Sequence, residues 1–151
     1  MLSPAQREQI TAILDEVDDM TIATVRADGY PQATTVSFVN DGPTIYFGTG
    51  AAAQKAKNIL ANDKISITVN RPYKNWDQIC GVSVGGRAHL VTAPEEFRKV
   101  GELMFKKFPQ IAKYSEPMGA GDLKLFRVDA EVISVLDYSK GFGHTDLLTV
   151  N

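Results

Sequence analysis

The apolar residues of the chain recur with two different periods. From Ile10 to Val17 they are spaced like one face of a helix, and the preceding Ser3-Pro4-Ala5-Gln6 has the form of a capping box. This pattern predicts a helix over about residues 3–18. From Met20 onward the dominant period is two, which is typical of strands.

Six segments have the composition or the alternation of strands. They are Thr21–Ala27, Pro31–Asn40, Thr44–Thr49, Lys64–Asn70, Gln78–Val91 and a long segment that runs through Phe126 and Val132. Asp28-Gly29 and Asp41-Gly42 are turn signals that join the first three strands as a meander. Gly85-Gly86 predicts a bulge or a sharp bend, and the apolar phase slips by one residue at Ile133, as a β-bulge requires.

Two further helices are predicted between the strands. Ala51–Asn62 has helical composition, and a capping box at Thr92-Ala93-Pro94-Glu95 opens a helix that ends before Pro109. No βαβ rhythm repeats. We therefore predict a single domain over residues 1–151 of the α+β class, mainly β, in which six antiparallel strands form a barrel over about 20–138, with peripheral helices and a tail over 139–151.

Composition narrows the class of protein. The 151 residues are 44% hydrophobic and 23% charged, as in ordinary globular domains. The net charge is -2 and no run of Lys or Arg occurs, so we predict no nucleic-acid partner. No segment has the apolar length of a membrane span or the pattern of an export signal, and Cys80 is the only cysteine. These features predict a cytoplasmic protein that does not associate with a membrane.

The segment from Thr49 to Lys55 is the strongest candidate for chemistry. It lies where a strand ends and a helix begins, and its small residues let a ligand approach the backbone. Helix-start N–H groups are unpaired and lie at the positive end of the helix dipole, Thr49 adds a hydroxyl and Lys55 adds a charge. The pattern favours a phosphate site, although alanines and surface lysines are also ordinary helix composition.

Other candidates are weaker. His89 and His144 lack the spacing of metal ligands and Cys80 lies in an apolar strand, so we predict no metal site and nominate no catalytic residue. Trp76 lies in a loop with Tyr73, where its ring could cover a flat cofactor, cap a neighbouring subunit or plug the end of the barrel.

Several motifs, taken in chain order, resemble the pyridoxamine 5′-phosphate oxidase-like family of FMN-binding split barrels. They are the three-strand meander, Ile45-Tyr46-Phe47-Gly48-Thr49 with Lys55 six positions later, Lys57-Asn58-Ile59-Leu60-Ala61-Asn62-Asp63, Gly81-Val82-Ser83-Val84-Gly85-Gly86-Arg87-Ala88, Pro94-Glu95-Glu96 and Leu123-Lys124-Leu125-Phe126-Arg127-Val128. The resemblance extends from about Met20 to the C-terminus.

The resemblance implies that FMN binds at the interface of a homodimer. Thr49 and Lys55 take two of the family's phosphate-binding roles, whereas Gln54 stands where the family usually has Arg and Ala53 where Ser is frequent. The resemblance therefore implies a weaker grip or a role for Lys57. The backbone of Thr35-Val36-Ser37 resembles the segment that lines the flavin ring and ribityl chain. Apolar strand residues are expected to be buried between the subunits, for example Ile79, Val82 and Val84.

Two departures set the chain apart from true pyridoxamine phosphate oxidases. Ala33 and Phe38 stand where those enzymes carry basic residues, and their substrate-binding Arg-x-His segment is missing. The expected function is an FMN-dependent oxidoreductase or redox protein, with a nicotinamide nucleotide as a possible electron donor. The alternative is a non-enzymatic binding or sensor module that holds flavin, haem or another flat ligand in the same dimer groove.

Overall fold

The computed structural model describes residues 1–114 and 122–150, which form three α-helices and seven strands. The helices are α1 (Pro4–Glu16), α2 (Gln54–Ala61) and α3 (Pro94–Lys107). The strands are β1 (Asp19–Val25), β2 (Pro31–Asp41), β3 (Thr44–Gly50), β4 (Lys64–Asn70), β5 (Cys80–Leu90), β6 (Leu123–Asp137) and β7 (Thr145–Thr149). Short 3-10 helices cover Trp76–Gln78, Pro109–Ile111 and Tyr138–Lys140.

The strands form one antiparallel sheet that closes on itself. Their order is β3-β2-β1-β4-β5-β6-β7, and β3 also pairs with β6 from Tyr46↔Arg127 to Gly50↔Leu123. The first six strands therefore make a closed barrel, which confirms the predicted mainly β fold with peripheral helices. None of the helices in the described ranges is both long and apolar enough to cross a membrane.

The structure has a seventh strand within residues 139–151, which the sequence analysis described only as a tail. β7 pairs with β6 from Thr145↔Leu136 to Thr149↔Val132. The middle of β7 contains two adjacent leucines. Leu148 packs against the hydrophobic core of the barrel, whereas Leu147 is exposed. Two neighbouring apolar residues hide the alternation of a strand, so the pairing partner rather than the local pattern decides this element.

One β-bulge explains the two irregularities seen in the sequence. Gly85 pairs with Val132 and Gly86 with Ala130, so Glu131 is an extra residue on β6. A side chain at Gly86 would collide with the carbonyl oxygen of Asp129. The structure thus confirms both the bend at the glycines and the phase slip that follows Glu131.

Capping boxes were predicted at the starts of α1 and α3, and the structure contains only the first of these two. α1 has the predicted capping box, in which Ser3 Oγ accepts from Gln6 N (3.2 Å) and Gln6 Oε1 accepts from Ser3 N (2.8 Å). The capping box predicted at Thr92 is wrong, because α3 begins after Ala93 without a side-chain cap. Pro94 at the first helical turn sets the helix start instead.

Two hydrophobic clusters lie on opposite sides of the barrel wall. The interior cluster includes Val82 and Val84, which are only 1% and 3% exposed in the single chain. The expectation that these two valines are buried between subunits is therefore wrong: strands of a closed barrel bury one face without a partner. The second cluster packs α3 onto the outer face of β2, β3 and β6 through Val39, Tyr46, Val91, Val100, Met104 and Leu125.

Candidate functional site

A cavity of about 450 Å³ lies on the outer face of β2 and β3, next to the C-terminal end of α3. Its volume falls within the roughly 300–1,000 Å³ of small-molecule sites. The lining residues come from β2, β3, α3 and the segments on either side of residues 115–121: Thr35, Val36, Ser37, Phe38, Gly48, Thr49, Met104, Phe108, Gln110, Ile111, Tyr114 and Leu123. None of these side chains carries a formal charge at neutral pH, and most are apolar.

Four of the residues predicted to bind a cofactor meet in this cavity, namely Thr35, Val36, Ser37 and Thr49. The hydroxyl of Ser37 donates to Asp19 Oδ1 (2.8 Å). Within the described part of the chain, the hydroxyls of Thr35 and Thr49 make no hydrogen bond, although Thr49 is only 8% exposed. Two hydroxyl groups of the cavity are thus available to a ligand.

The turn between β3 and α2 leads from the cavity to a helix start. Ala51 N donates to Asp122 O (2.6 Å) and Ala53 N donates to Gly50 O (3.0 Å), which hold the turn in place. Ala53 is the N-cap of α2 and supplies no side-chain cap. The first N–H groups of α2 therefore lack an intrahelical partner and lie at the positive end of its dipole.

Lys55 and Lys57 add two cations to this helix start. Lys55 is half-buried and Lys57 is exposed. Neither forms an ion pair within residues 1–114 and 122–150, in contrast to Lys99, which lies 2.9 Å from Asp41 Oδ2. Both charges are available to an anion bound near α2.

Gln54 has a structural partner that the sequence did not reveal. Its Nε2 donates to Asn58 Oδ1 (2.8 Å), and Asn58 Nδ2 donates to Thr24 Oγ1 (3.0 Å) and to Gln32 Oε1 (3.1 Å). Asn58 is 3% exposed, so this network is needed to satisfy its buried amide. Asn58 thus attaches α2 to β1 and β2, and Gln54 supports Asn58 from within the same helix, which uses one of the two donor hydrogens of Gln54.

Trp76 lies apart from the cavity in the single chain. It is 67% exposed, and its ring centroid is 5.8 Å from that of Phe142, which in turn is 5.5 Å from Tyr138. These three residues form an aromatic cluster at the surface. A contact between Trp76 and a cofactor remains a prediction that requires a second subunit.

The wall of the cavity contributed by α3 and the following 3-10 helix was missed at the sequence level. Met104, Phe108 and Ile111 belong to it. Val100, Met104 and Phe108 recur at intervals of four residues, so the apolar stripe continues past the last residue of α3. This stripe predicts a buried helix face, but the strand that it contacts follows only from the tertiary structure.

The N-terminal end of α3 is attached to the barrel by a polar cluster. Tyr46 Oη donates to Glu96 Oε2 (3.0 Å), and Arg127 Nη1 donates to both oxygens of Glu96 (3.1 Å each). Arg127 Nε also donates to Asp129 Oδ1 (2.9 Å). Burial raises the pKa of the Tyr46 phenol, and the hydrogen bond to Glu96 raises it further, so the phenol remains a donor.

The C-terminal end of α3 is attached to the barrel through the ammonium group of Lys107. Lys107 Nζ donates to Val17 O (2.7 Å) and Phe38 O (2.9 Å), and it lies 4.1 Å from the ring centroid of Phe38 and 5.4 Å from that of Phe108. Burial lowers the pKa of Lys107, while the carboxylates of Asp18, Asp15 and Asp19 act in the opposite direction. Nζ therefore fixes α3 to two backbone carbonyls.

No group of three or more metal-ligating side chains comes together among the described residues. His89 Nε2 lies 3.3 Å from Asp129 Oδ2, and His144 Nε2 lies 3.2 Å from Asp146 Oδ2. Neither histidine lines the cavity.

Sequence comparison identifies the family. Residues 6–137 match the family model described as pyridoxamine 5′-phosphate oxidase. The chain belongs to this family. The match includes most of α1, the six strands of the barrel and the cavity residues named above, whereas β7 lies beyond it. No curated protein is similar to the chain in sequence at a significant level.

Solved structures share the fold at low sequence identity. A haem-binding protein from Mycobacterium smegmatis superposes with a TM-score of 0.82 at 19% identity; the match covers 99% of this chain but only 60% of that protein. A conserved hypothetical protein from Mycobacterium tuberculosis gives 0.77 at 23% identity, over 100% of this chain and 93% of that protein. HutZ, the haem storage protein from Vibrio cholerae, gives 0.70 at 23% identity, over 82% and 89%. Likeness at these identities concerns the fold alone.

Proposed function

We propose that the chain binds FMN in the cavity between β2, β3 and the end of α3, and that it is an FMN-dependent oxidoreductase. The observation that carries this proposal is that the apolar cavity and the start of α2 are adjacent. Thr49 lines the cavity and also begins the turn that leads into the uncapped start of α2. A flat apolar ring fits the first part and a phosphate fits the second.

The residues present fit the chemical groups of FMN. Phe108 and Ile111 offer apolar surface to a ring, the hydroxyls of Thr35 and Thr49 are available to polar groups, and the start of α2 suits a phosphate. Lys55 contributes an unpaired positive charge near the phosphate. When bound, FMN supplies hydride or electron transfer, and the role of the chain is to bind and orient it. Among the described residues that line the cavity, none is a histidine, carboxylate or lysine that could serve as a general acid or base.

The activity we propose differs from that of a true pyridoxamine phosphate oxidase. Ala33 is exposed on β2, while Phe38 is fully buried and packs into the barrel interior. Neither position can offer a cation to the phosphate of such a substrate. We propose that a nicotinamide nucleotide is the electron donor and that the protein acts in the cytoplasm.

We propose that the chain acts as a homodimer. The surface carries exposed apolar residues that a second copy would cover, among them Trp76, Phe142 and Leu147, which are 67%, 78% and 71% exposed. Light scattering at micromolar concentration should give twice the chain mass of 16.5 kDa. A mass of one chain would contradict this part of the proposal.

The test of the function is a visible spectrum of the purified protein after incubation with FMN and removal of free ligand. We expect a retained flavin band that is bleached by NADH or NADPH without oxygen. Retention of FMN without reduction by either donor would favour a binding or sensor module. A protein that retains no FMN would overturn the proposal.

A haem-binding module is the second candidate function. Met104 and Tyr114 both line the cavity, and a thioether and a phenol are both known ligands of haem iron. Titration with haemin should then give a saturable Soret band that shifts in Met104→Leu or Tyr114→Phe. If neither variant shifts the band and FMN competes poorly, haem is not held in this cavity.

A further inference from the structure

One wall of the cavity is formed by the segment that comes after α3. Phe108, Gln110 and Ile111 follow α3 directly, in and beside a 3-10 helix of three residues. Such a short helix is stabilised by its surroundings rather than by itself. Its position relative to β2 therefore depends on how α3 ends.

Lys107 is the last residue of α3 and lies between two cavities. Lys107 lines a second cavity of about 280 Å³ together with Leu103 and Lys106. The next residue, Phe108, lines the cavity of the proposed site. The ammonium of Lys107 binds the carbonyl oxygens of Val17, the C-cap of α1, and of Phe38 on β2. One side chain thus joins α1, β2 and α3 at the edge of the site.

We propose that Lys107 is a positioning residue of the ligand cavity. By binding Phe38 O and lying against the ring of Phe108, it sets the distance between β2 and the wall that follows α3. This inference rests on the proposed function and specifies which part of the ligand depends on Lys107. Binding of the flavin ring depends on Lys107, because the ring is held between β2 and this wall. Binding of the phosphate at α2 does not depend on Lys107.

The test measures the affinity for FMN and for riboflavin, which has the same ring but no phosphate. Lys107→Met keeps the apolar stem and removes the charged donor. We expect it to weaken both ligands equally, by roughly tenfold, because misplacing the wall acts on the part that the ligands share. Lys55→Met should weaken FMN alone.

Two controls separate positioning from general destabilisation. Lys106→Met removes the neighbouring lysine and should leave both affinities unchanged. Tyr46→Phe loosens the opposite end of α3 and should lower the melting temperature without affecting either affinity. Lys107→Arg, which keeps the charge and can still donate to a carbonyl, should restore most of the binding. If Lys107→Met does not fold, Lys107→Gln replaces it, because its amide is neutral and lies one bond closer to the backbone than the ammonium, so that the contact with the two carbonyls is lost.

The outcomes are distinct. Equal weakening of both flavins in Lys107→Met, with rescue by arginine, supports the inference. Wild-type affinities in a folded Lys107→Met or Lys107→Gln protein overturn it and leave the proposed function intact, as does a loss confined to FMN. A wild-type chain that binds neither FMN nor riboflavin overturns the proposed function and this inference with it.

Discussion

The two halves of the candidate site are built in opposite ways. The turn from Thr49 to Lys57 is one continuous segment that offers backbone N–H groups and unpaired cations. The cavity collects uncharged residues from β2, β3 and α3, which are far apart in sequence. The first half therefore acts through charge and responds to salt, whereas the second acts through contact area and shape. A ligand with a ring at one end and a phosphate at the other lets experiments separate them.

The largest expected effect is the loss of the phosphate contact. Lys55→Met should weaken FMN binding by about 1.5–3 kcal/mol, the usual cost of losing a charge-assisted hydrogen bond. Riboflavin affinity should hardly change. Fluorescence quenching of both ligands checks this, and an equal loss for the two would mean that Lys55 does not contact the phosphate.

The cavity wall gives the next largest effect and the opposite pattern. Phe108→Ala should weaken FMN and riboflavin alike by about 1 kcal/mol, because the lost contact is with the ring. Phe105→Ala is a matched control, since Phe105 lies on α3 but is 51% exposed and does not line the cavity. Salt should not alter the difference between Phe108→Ala and wild type. A loss limited to FMN would place the ring elsewhere.

The polar cluster at the other end of α3 should affect stability alone. Tyr46→Phe should lower the free energy of unfolding by about 1 kcal/mol through the lost hydrogen bond to Glu96. Because the folded pKa of Tyr46 is raised above 10.0, its contribution is present below pH 10 and is lost as the pH rises through the folded value. Urea unfolding of both proteins at pH 8 and above pH 10 should show the difference shrinking. A difference that grows with pH would contradict this sign.

The smallest expected effect concerns the position where the family usually carries arginine. Gln54→Arg should tighten FMN binding by less than about 1 kcal/mol, and increasing salt should reduce the gain. The gain is small because Gln54 donates to Asn58, and a new side chain must replace that bond or leave a buried network unsatisfied. Riboflavin titrations at low and moderate salt are the control. Tightening of riboflavin by the same factor would exclude an effect on the phosphate.

The sequence by itself determined the elements with a local cause. The alternation in β4, the capping box of α1 and the glycines opposite Glu131 each follow from residues close together in the chain. The same is true of the turn proposed to bind phosphate, because an uncapped helix start after a strand is a local feature. The family resemblance added an expected cofactor, FMN, and an expected ligand-binding role for β2 to these local signals.

Only the tertiary structure decided which distant residues meet. Residues 145–149 form β7 because they pair with β6. The side chain of Gln54 is hydrogen-bonded to Asn58, whose buried amide is in turn bonded to Thr24. The wall at Phe108 and its attachment through Lys107 depend on where α3 ends relative to β2. Such contacts arise from packing between segments far apart in the chain, and a periodic pattern records that a residue is buried but not what it is buried against.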